Sequence, residues 1–412
     1  MANRNRVPRL RWGRTAGGVC GAQRLGRSDV GYITAILGSL ALALAAIGIG
    51  WMLAATLVLR RFFAHPAPVS AATTGVTILK PLHGAEPRFL DTLASFLAQS
   101  HTGPVQLLCG VQRADDPAIR AIDALRRRHP QATIDLIIDS TRHGSSGKIS
   151  NLANLKPHIR HPVVMLSDSD IAVGRDYIAQ VLAALDQPDV GIVTCAYHGR
   201  GDAGFWSRLG AAGIDWQFLL GLIFGVANRL ATPCMGSTIA MRRDTLERIG
   251  GFARFADVLA DDYAIGAAVR GLGLSVVVPP LLVTHAFDER SARALWRHEL
   301  RWGVTVRDLG LAPYLGLIVT FPLPIALLAA LWWPGAGMTL ASFALAVRLF
   351  AAISVERVAG ARAAPLWVLP IRDTFGFAVY CASFFVRSVD WRGATLRIGP
   401  NGHIAAAPET LP

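Results

Sequence analysis

Residues 30–59 run without a charge, as do residues 311–347, and each stretch is long enough to cross the roughly 30 Å hydrocarbon layer as a helix. Between them, from 70 to 290, short β-branched or aliphatic runs alternate with segments of helical spacing. The runs at 76–80, 105–111, 133–138, 163–168 and 191–197 predict strands, while 88–99, 117–129 and 175–186 predict helices. This alternation predicts an α/β domain, a mostly parallel sheet covered by helices, with its ligands beyond the carboxyl ends of the strands.

The chain therefore divides into a basic tail (1–29), a transmembrane anchor (30–59), a catalytic domain (70–290), an amphipathic interfacial segment (291–310), C-terminal membrane segments (311–386) and a tail (387–412). The first apolar stretch is too long for a signal peptide, lacks a clear cleavage site and is closed by Arg60 and Arg61, so it reads as a retained anchor. Pro334, Gly335 and Gly337 break the second stretch, predicting spans near 312–333 and 337–354, with Arg348 snorkelling to an interface. A third apolar segment, 365–386, is interrupted by Arg372 and Asp373. It is expected either to span with an internal ion pair or to lie at the interface, which gives two or three C-terminal segments.

Composition agrees with membrane insertion: 52% of residues are hydrophobic and the mean hydropathy is +0.39. The net charge of +13 invites a nucleic-acid reading, but the excess is dispersed, and seven arginines (Arg4, Arg6, Arg9, Arg11, Arg14, Arg24 and Arg27) sit in the N-terminal tail. Such a tail suits anionic lipid head groups, and no nucleic acid is expected. Five cysteines without a CxxC pair indicate neither a disulfide framework nor a zinc site, which fits a reducing compartment. A cytoplasmic catalytic domain after one span leaves the arginine tail outside, against the positive-inside rule. A re-entrant anchor or a start codon assigned too far upstream removes that conflict. The uncharged link at 334–337 suits the outside, and Glu356, Arg357 and Arg362 suit the inside.

The chemistry-bearing residues fall at strand ends. Asp115 and Asp116 precede Pro117, where Asp116 reads as a helix cap. Asp168 and Asp170, one residue apart, can both turn toward a hard divalent cation that neutralises a diphosphate; their bland alternative is a solvated turn. Lys148 follows a Gly/Ser-rich loop and suits either phosphate or solvent. Asp261 and Asp262 precede an apolar helix, where a cap explains one acid and not the other. His285 reads as a structural histidine or a third metal ligand. The stretch from Trp296 to Trp302 is aromatic and basic, with His298 and Arg301 inside it, as an interfacial helix would be.

In this order the residues resemble the ceramide glucosyltransferase family, and within it the bacterial hopanoid-associated branch, over roughly residues 30–400. The carriers are Lys80-Pro81-Leu82-His83-Gly84, Asp115-Asp116-Pro117-Ala118, Lys148-Ile149-Ser150-Asn151-Leu152, Asp168-Ser169-Asp170-Ile171, Ala260-Asp261-Asp262-Tyr263 and Arg301-Trp302. The resemblance implies a GT-A fold, a UDP-sugar donor, a divalent cation (Mg2+ or Mn2+) and inversion at the anomeric carbon. It implies nucleotide-sugar contacts at Lys80, Asp115, Asp116, Lys148 and Asp168, metal at Asp168 and Asp170, and Asp262 as general base. Asp261, His298, Arg301 and Trp302 are implied on the acceptor or diphosphate side; His298 stands where the family motif has Gln or Arg. The expected acceptor is a membrane lipid, a hopanoid or ceramide, and the expected location is a bacterial inner membrane. A processive polysaccharide synthase and a non-catalytic scaffold that retains the fold are the alternatives.

Overall fold

The computed structural model describes residues 27–258, 260–386, 388–391, 394–398 and 404–406. The basic tail as far as residue 26 and parts of the C-terminal tail lie outside the described residues.

The catalytic region is built on ten strands: β1 (Val76–Pro81), β2 (Val105–Val111), β3 (Thr133–Ile138), β4 (Val163–Leu166), β5 (Ile171–Ala172), β6 (Val190–Val193), β7 (Ala196–Gly201), β8 (Ile239–Arg242), β9 (Ser275–Val277) and β10 (Leu282–Phe287). Seven of them form one sheet in the order β3-β2-β1-β4-β8-β6-β9. It is parallel through β3, β2, β1 and β4, and β8 runs antiparallel to both of its neighbours. β1, β2 and β4 are buried almost throughout, as strands covered on both faces are, whereas the edge strand β3 is only partly buried. One face packs Val76, Ile78, Leu107 and Cys109 on the helices Phe89–Ala94, Ala118–Arg128 and Tyr177–Leu185. The other packs Leu79, Leu108 and Val164 on Gly147–Leu155 and Asp261–Arg270.

The run predicted as a single strand at 191–197 is two strands in two sheets. Thr194 interrupts it: its hydroxyl bonds the backbone of Met235, and the chain leaves β6 to enter β7. A second sheet, β5-β10-β7, then joins the short strand after Asp170 to the strand carrying His285. Thr284 and His285 of β10 lie opposite Ala172 and Ile171, which fixes Asp170 beside His285.

Among the described residues three helices are long and apolar enough to cross a membrane: Thr34–Phe62, Phe205–Ala227 and Pro334–Ala359. The second was not anticipated, because Ser207, Arg208, Asp215 and Gln217 interrupt its apolar pattern; it contains a π-helical turn at Ile214–Phe218. The expected span near 312–333 is a pair of short helices, Leu311–Thr320 and Pro322–Ala329, bent by 71° at Phe321 and Pro322. Proline both lacks the amide and disfavours helix at the residue before it, which accounts for the bend. The Pro334–Ala359 helix is about 39 Å long at 1.5 Å per residue; it begins on the proline expected to lie in the break and runs past both expected limits, 337 and 354. Leu369–Ser383, at about 22 Å, is short of a full crossing.

The charges in these segments do not behave as their sequence suggests. Arg348 does not snorkel: its side chain is 1% exposed, with Nε donating to Asp373 Oδ2 at 2.8 Å. Arg372 does not pair with its neighbour Asp373, but donates both terminal nitrogens to Glu299 of the Ala292–Leu309 helix, at 2.5 and 2.8 Å. Consecutive helical residues point about 100° apart, so the two charges reach different partners.

Candidate active site at the carboxyl ends of the sheet

Three carboxylates and an ammonium meet where β4 ends and the 261–270 helix begins. Lys148, in the first turn of its helix, lies 2.7 Å from Asp168 Oδ1 and 3.3 Å from Asp261 Oδ2. Ser146 starts that helix by accepting from the Ile149 amide, and so places Lys148 at its head. Burial alone would lower the Lys148 pKa, but the charges of Asp168, Asp261 and Asp262 outweigh it and hold the ammonium well above its usual range.

Gly236 joins the second and third acid motifs. Its amide donates to Asp262 Oδ2 at 3.1 Å, and its carbonyl accepts from the Asp168 amide at 3.1 Å. A Cβ at this position would stand 2.5 Å from Asp168 Oδ2 and 3.0 Å from Lys148 Nζ, so any larger residue would push these two side chains aside. Asp262 Oδ1 also accepts from the Tyr263 amide at 2.7 Å. Burial, and then the neighbouring Asp261 charge, push the Asp262 carboxyl up to about 6. Burial likewise raises Asp261, which Lys148 partly offsets.

Asp170 faces the other wall. Its Oδ2 is 3.3 Å from His285 Nε2, and its Oδ1 is buried with no hydrogen-bond partner among the described residues. No set of three His, Cys, Asp or Glu side chains converges on one point among the described residues. Hard cations that serve nucleotides are held by one or two protein groups, with substrate phosphate and water completing the shell. An orphaned carboxylate oxygen beside an imidazole fits that pattern. Asp170 and His285 are the residues suited to a cation, whereas Asp168 is already matched by Lys148.

Lys80 is fully buried, and its Nζ donates to Asp168 O (2.7 Å), Ser167 Oγ (3.1 Å) and Ile171 O (3.3 Å). Its three donors are thus taken by the turn that presents Asp168 and Asp170, and the expected contact with the donor is replaced by support of that turn. Burial pulls its ammonium down to about 7, against the nearby carboxylates.

Asp116 is also buried. It accepts from the Ala118 amide at 2.9 Å and from the Gly84 amide at 3.0 Å, so it caps the 118–128 helix and clasps the turn after β1. Asp115, in contrast, is 69% exposed and forked to Arg113, away from the buried cluster. Asp115→Ala is therefore expected to leave the donor KM within about twofold of the parent. Asp116→Ala leaves two amides unmatched, at about 1–3 kcal/mol for a buried donor, and is expected to lower both Tm and donor affinity. Thermal melts with donor titrations check both outcomes.

Of the residues expected on the acceptor or diphosphate side, His298, Arg301 and Trp302 lie on the Ala292–Leu309 helix, which Ser291 caps, while Asp261 lies on the 261–270 helix. Trp302 packs edge-on against His298 (4.4 Å between ring centroids) and His285 (5.9 Å). His298 bonds Glu289 through Nδ1 and stacks on Phe287. Arg301 is partly buried on the same helix. Tyr197 was not singled out from the sequence; it tilts against His285 at 5.4 Å and stacks on Phe218 of the π-turn. Only the pairing of β7 with β10 brings it to the site, and no local signal marks it.

A seven-stranded sheet with an antiparallel insertion, and a paired-aspartate turn facing a second small sheet, define a GT-A glycosyltransferase. A solved structure is similar in fold: the mannosyltransferase PcManGT from Pyrobaculum calidifontis, in complex with GDP-Man and Mn2+, superposes with a TM-score of 0.50 at 19% identity, covering 85% of this chain and 99% of that one. The chain belongs to glycosyl transferase family 21, whose profile matches residues 40–404. Among curated proteins, ceramide glucosyltransferase 1 of Caenorhabditis elegans is 24% identical over 234 residues, 55% of this chain and 48% of that protein. Ceramide glucosyltransferase 3 of the same organism is 22% identical over 211 residues, 51% of this chain and 45% of that protein. The match thus spans about half the length of these relatives.

Proposed function

We propose that the protein transfers a sugar, glucose or N-acetylglucosamine, from a UDP-sugar to a hydroxyl of a membrane lipid with inversion. The observation that carries this reading is the grouping of Asp168, Lys148 and Asp262 at the strand ends with Asp170 beside His285, against which packs Trp302 of a helix bonded to the apolar helices. A hopanoid or a ceramide presents a hydroxyl at the depth such a wall reaches, and the ceramide glucosyltransferase relatives favour a lipid acceptor. UDP-sugars are made in the cytoplasm, so the catalytic domain is placed at the cytoplasmic face of a bacterial inner membrane.

In this reading Asp262 accepts the proton of the acceptor hydroxyl as the oxygen attacks the anomeric carbon from the face opposite UDP. Lys148 keeps Asp168 and Asp261 in place beside the diphosphate. Trp302, His298 and Tyr197 form the apolar and aromatic wall against which sugar and acceptor lie. Asp116 acts on the nucleoside side through the turn it clasps. Asp170 and His285 would hold a divalent cation, which would supply positive charge to a leaving diphosphate.

The raised pKa of Asp262 sets a pH dependence. A base works only when ionised, so kcat/KM is expected to rise with pH through about 6 and to level off above it. An initial-rate profile from pH 5 to 8 checks this; a profile flat across pH 5–7 removes Asp262 as the titrating base.

The function itself is tested with purified protein in nanodiscs supplied with radiolabelled UDP-glucose or UDP-N-acetylglucosamine and with a hopanoid, a ceramide or a diacylglycerol. A labelled lipid product of inverted anomeric configuration, assigned by proton NMR, is the expected result. Release of UDP with no labelled lipid for any acceptor would sink the reading.

A further inference from the structure

Several charged groups buried among the apolar helices lie in chains of contacts that lead toward His285 and Trp302. Arg348 of the Pro334–Ala359 helix bonds Asp373 and the carbonyl of Trp216 in the π-turn. One residue earlier in that turn, Asp215 is fully buried and accepts from the Gly199 amide of β7 at 2.6 Å. Gly199 lies opposite His285 across the β7–β10 pairing. Beside Asp373 on the same helix, Arg372 grips Glu299 with both terminal nitrogens. Glu299 sits between His298 and Arg301 on the helix that carries Trp302.

We infer that the Arg372–Glu299 pair is a positioning device: it holds the His298–Trp302 helix in register with the apolar helices, so that the assembled bundle sets the acceptor side of the site. The pair is bidentate and its side chains are 5% and 11% exposed, a geometry that fixes orientation as well as distance. Small residues make room for it, since a Cβ at Gly213 would stand 2.7 Å from the Arg372 guanidinium. Other contacts act along the same seam. Arg307, two turns beyond Glu299, donates to the carbonyls of Ser383 and Val386, and Trp296 meets Phe375 edge-on at 5.7 Å. A buried ion pair contributes little net stability compared with well-packed apolar groups of similar volume. Orientation of the helix is then the reason for its presence.

That contrast supplies the test. Glu299→Met combined with Arg372→Met removes both charges and keeps the volume, so the fold is expected to survive with a Tm near that of the parent. In the same variant the amides of 292–309 are expected to exchange faster than in the parent while those of 261–270 are unchanged. Transfer kcat is expected to fall by about 100-fold, the scale of a 1 Å misplacement, with the donor KM within about twofold. Arg372→Lys keeps the charge but loses the fork, and is expected to lie between the two. The kinetic arm rests on the transfer reading above; the exchange arm needs no substrate, so the two can fail separately. Unchanged exchange in 292–309, a donor KM that worsens in step with kcat, or an Arg372→Lys variant with parental kcat and exchange each overturns the inference.

Discussion

Asp262→Asn is expected to slow transfer by about 100-fold to 10,000-fold, the range for a lost general base, while UDP-sugar binding is retained. Asparagine keeps the size of the side chain and one accepting oxygen, enough to keep the bond from the Tyr263 amide at the start of the helix, while the bond from the Gly236 amide to the second carboxylate oxygen is lost. It also loses the ability to take a proton. The neighbouring acid sharpens the comparison. Asp261 is 7% exposed and faces Lys148, whereas Asp262 is more open and reaches the Gly236 loop. Asp261→Asn is therefore expected to disturb the Lys148 cluster, and with it donor affinity, more than the proton transfer. Calorimetric donor affinities and initial rates for both variants decide between them. Near-normal transfer by Asp262→Asn, or collapse confined to Asp261→Asn, would assign the base to the other carboxylate.

The parallel half of the catalytic fold is legible in the chain because each strand is a short apolar run bounded by turn residues. The runs at 76–80, 105–111 and 133–138 appear as strands within a residue of those limits. The antiparallel β8 and the second sheet are not legible, since their order depends on pairing between distant segments: β7 joins β10 across more than eighty residues. That same pairing brings Tyr197 to His285, which explains why an aromatic wall is invisible in a linear reading. The acid motifs stand out at strand ends, yet their division of labour does not. The family resemblance makes Lys80 and Asp116 ligand contacts, but their burial turns them inward to hold the turns that carry the site, and Asp116 does cap its helix as its place before Pro117 suggests. Likewise Arg348, Arg372 and Asp373 read as blemishes in apolar segments until tertiary contacts give each a partner.

Removal of divalent cations is expected to abolish transfer, and Asp170→Asn to lower it by about 10-fold to 100-fold even in saturating Mn2+, the scale of a weakened metal site. The reason lies in the charge already in the cleft. Asp168, Asp170, Asp261 and Asp262 bring four negative charges, against which stand Lys148 and the buried Lys80, whose positive charge is itself disfavoured by burial. A diphosphate brought to the same strand ends adds more negative charge in a region of low dielectric, where repulsion is strong. Some positive charge must enter with it, and the unpartnered Oδ1 of Asp170 beside His285 marks where the protein leaves room for one. Asp168 is the poorer candidate because Lys148 at 2.7 Å already balances it. His285→Ala should shift the Mn2+ dependence in the same direction as Asp170→Asn, since the two share one oxygen-to-nitrogen contact. The measurement is transfer rate against free Mn2+ and Mg2+ for the parent and both variants, with an EDTA control. Full turnover in excess EDTA, together with an unshifted metal dependence for Asp170→Asn, would show that the protein's own cations suffice.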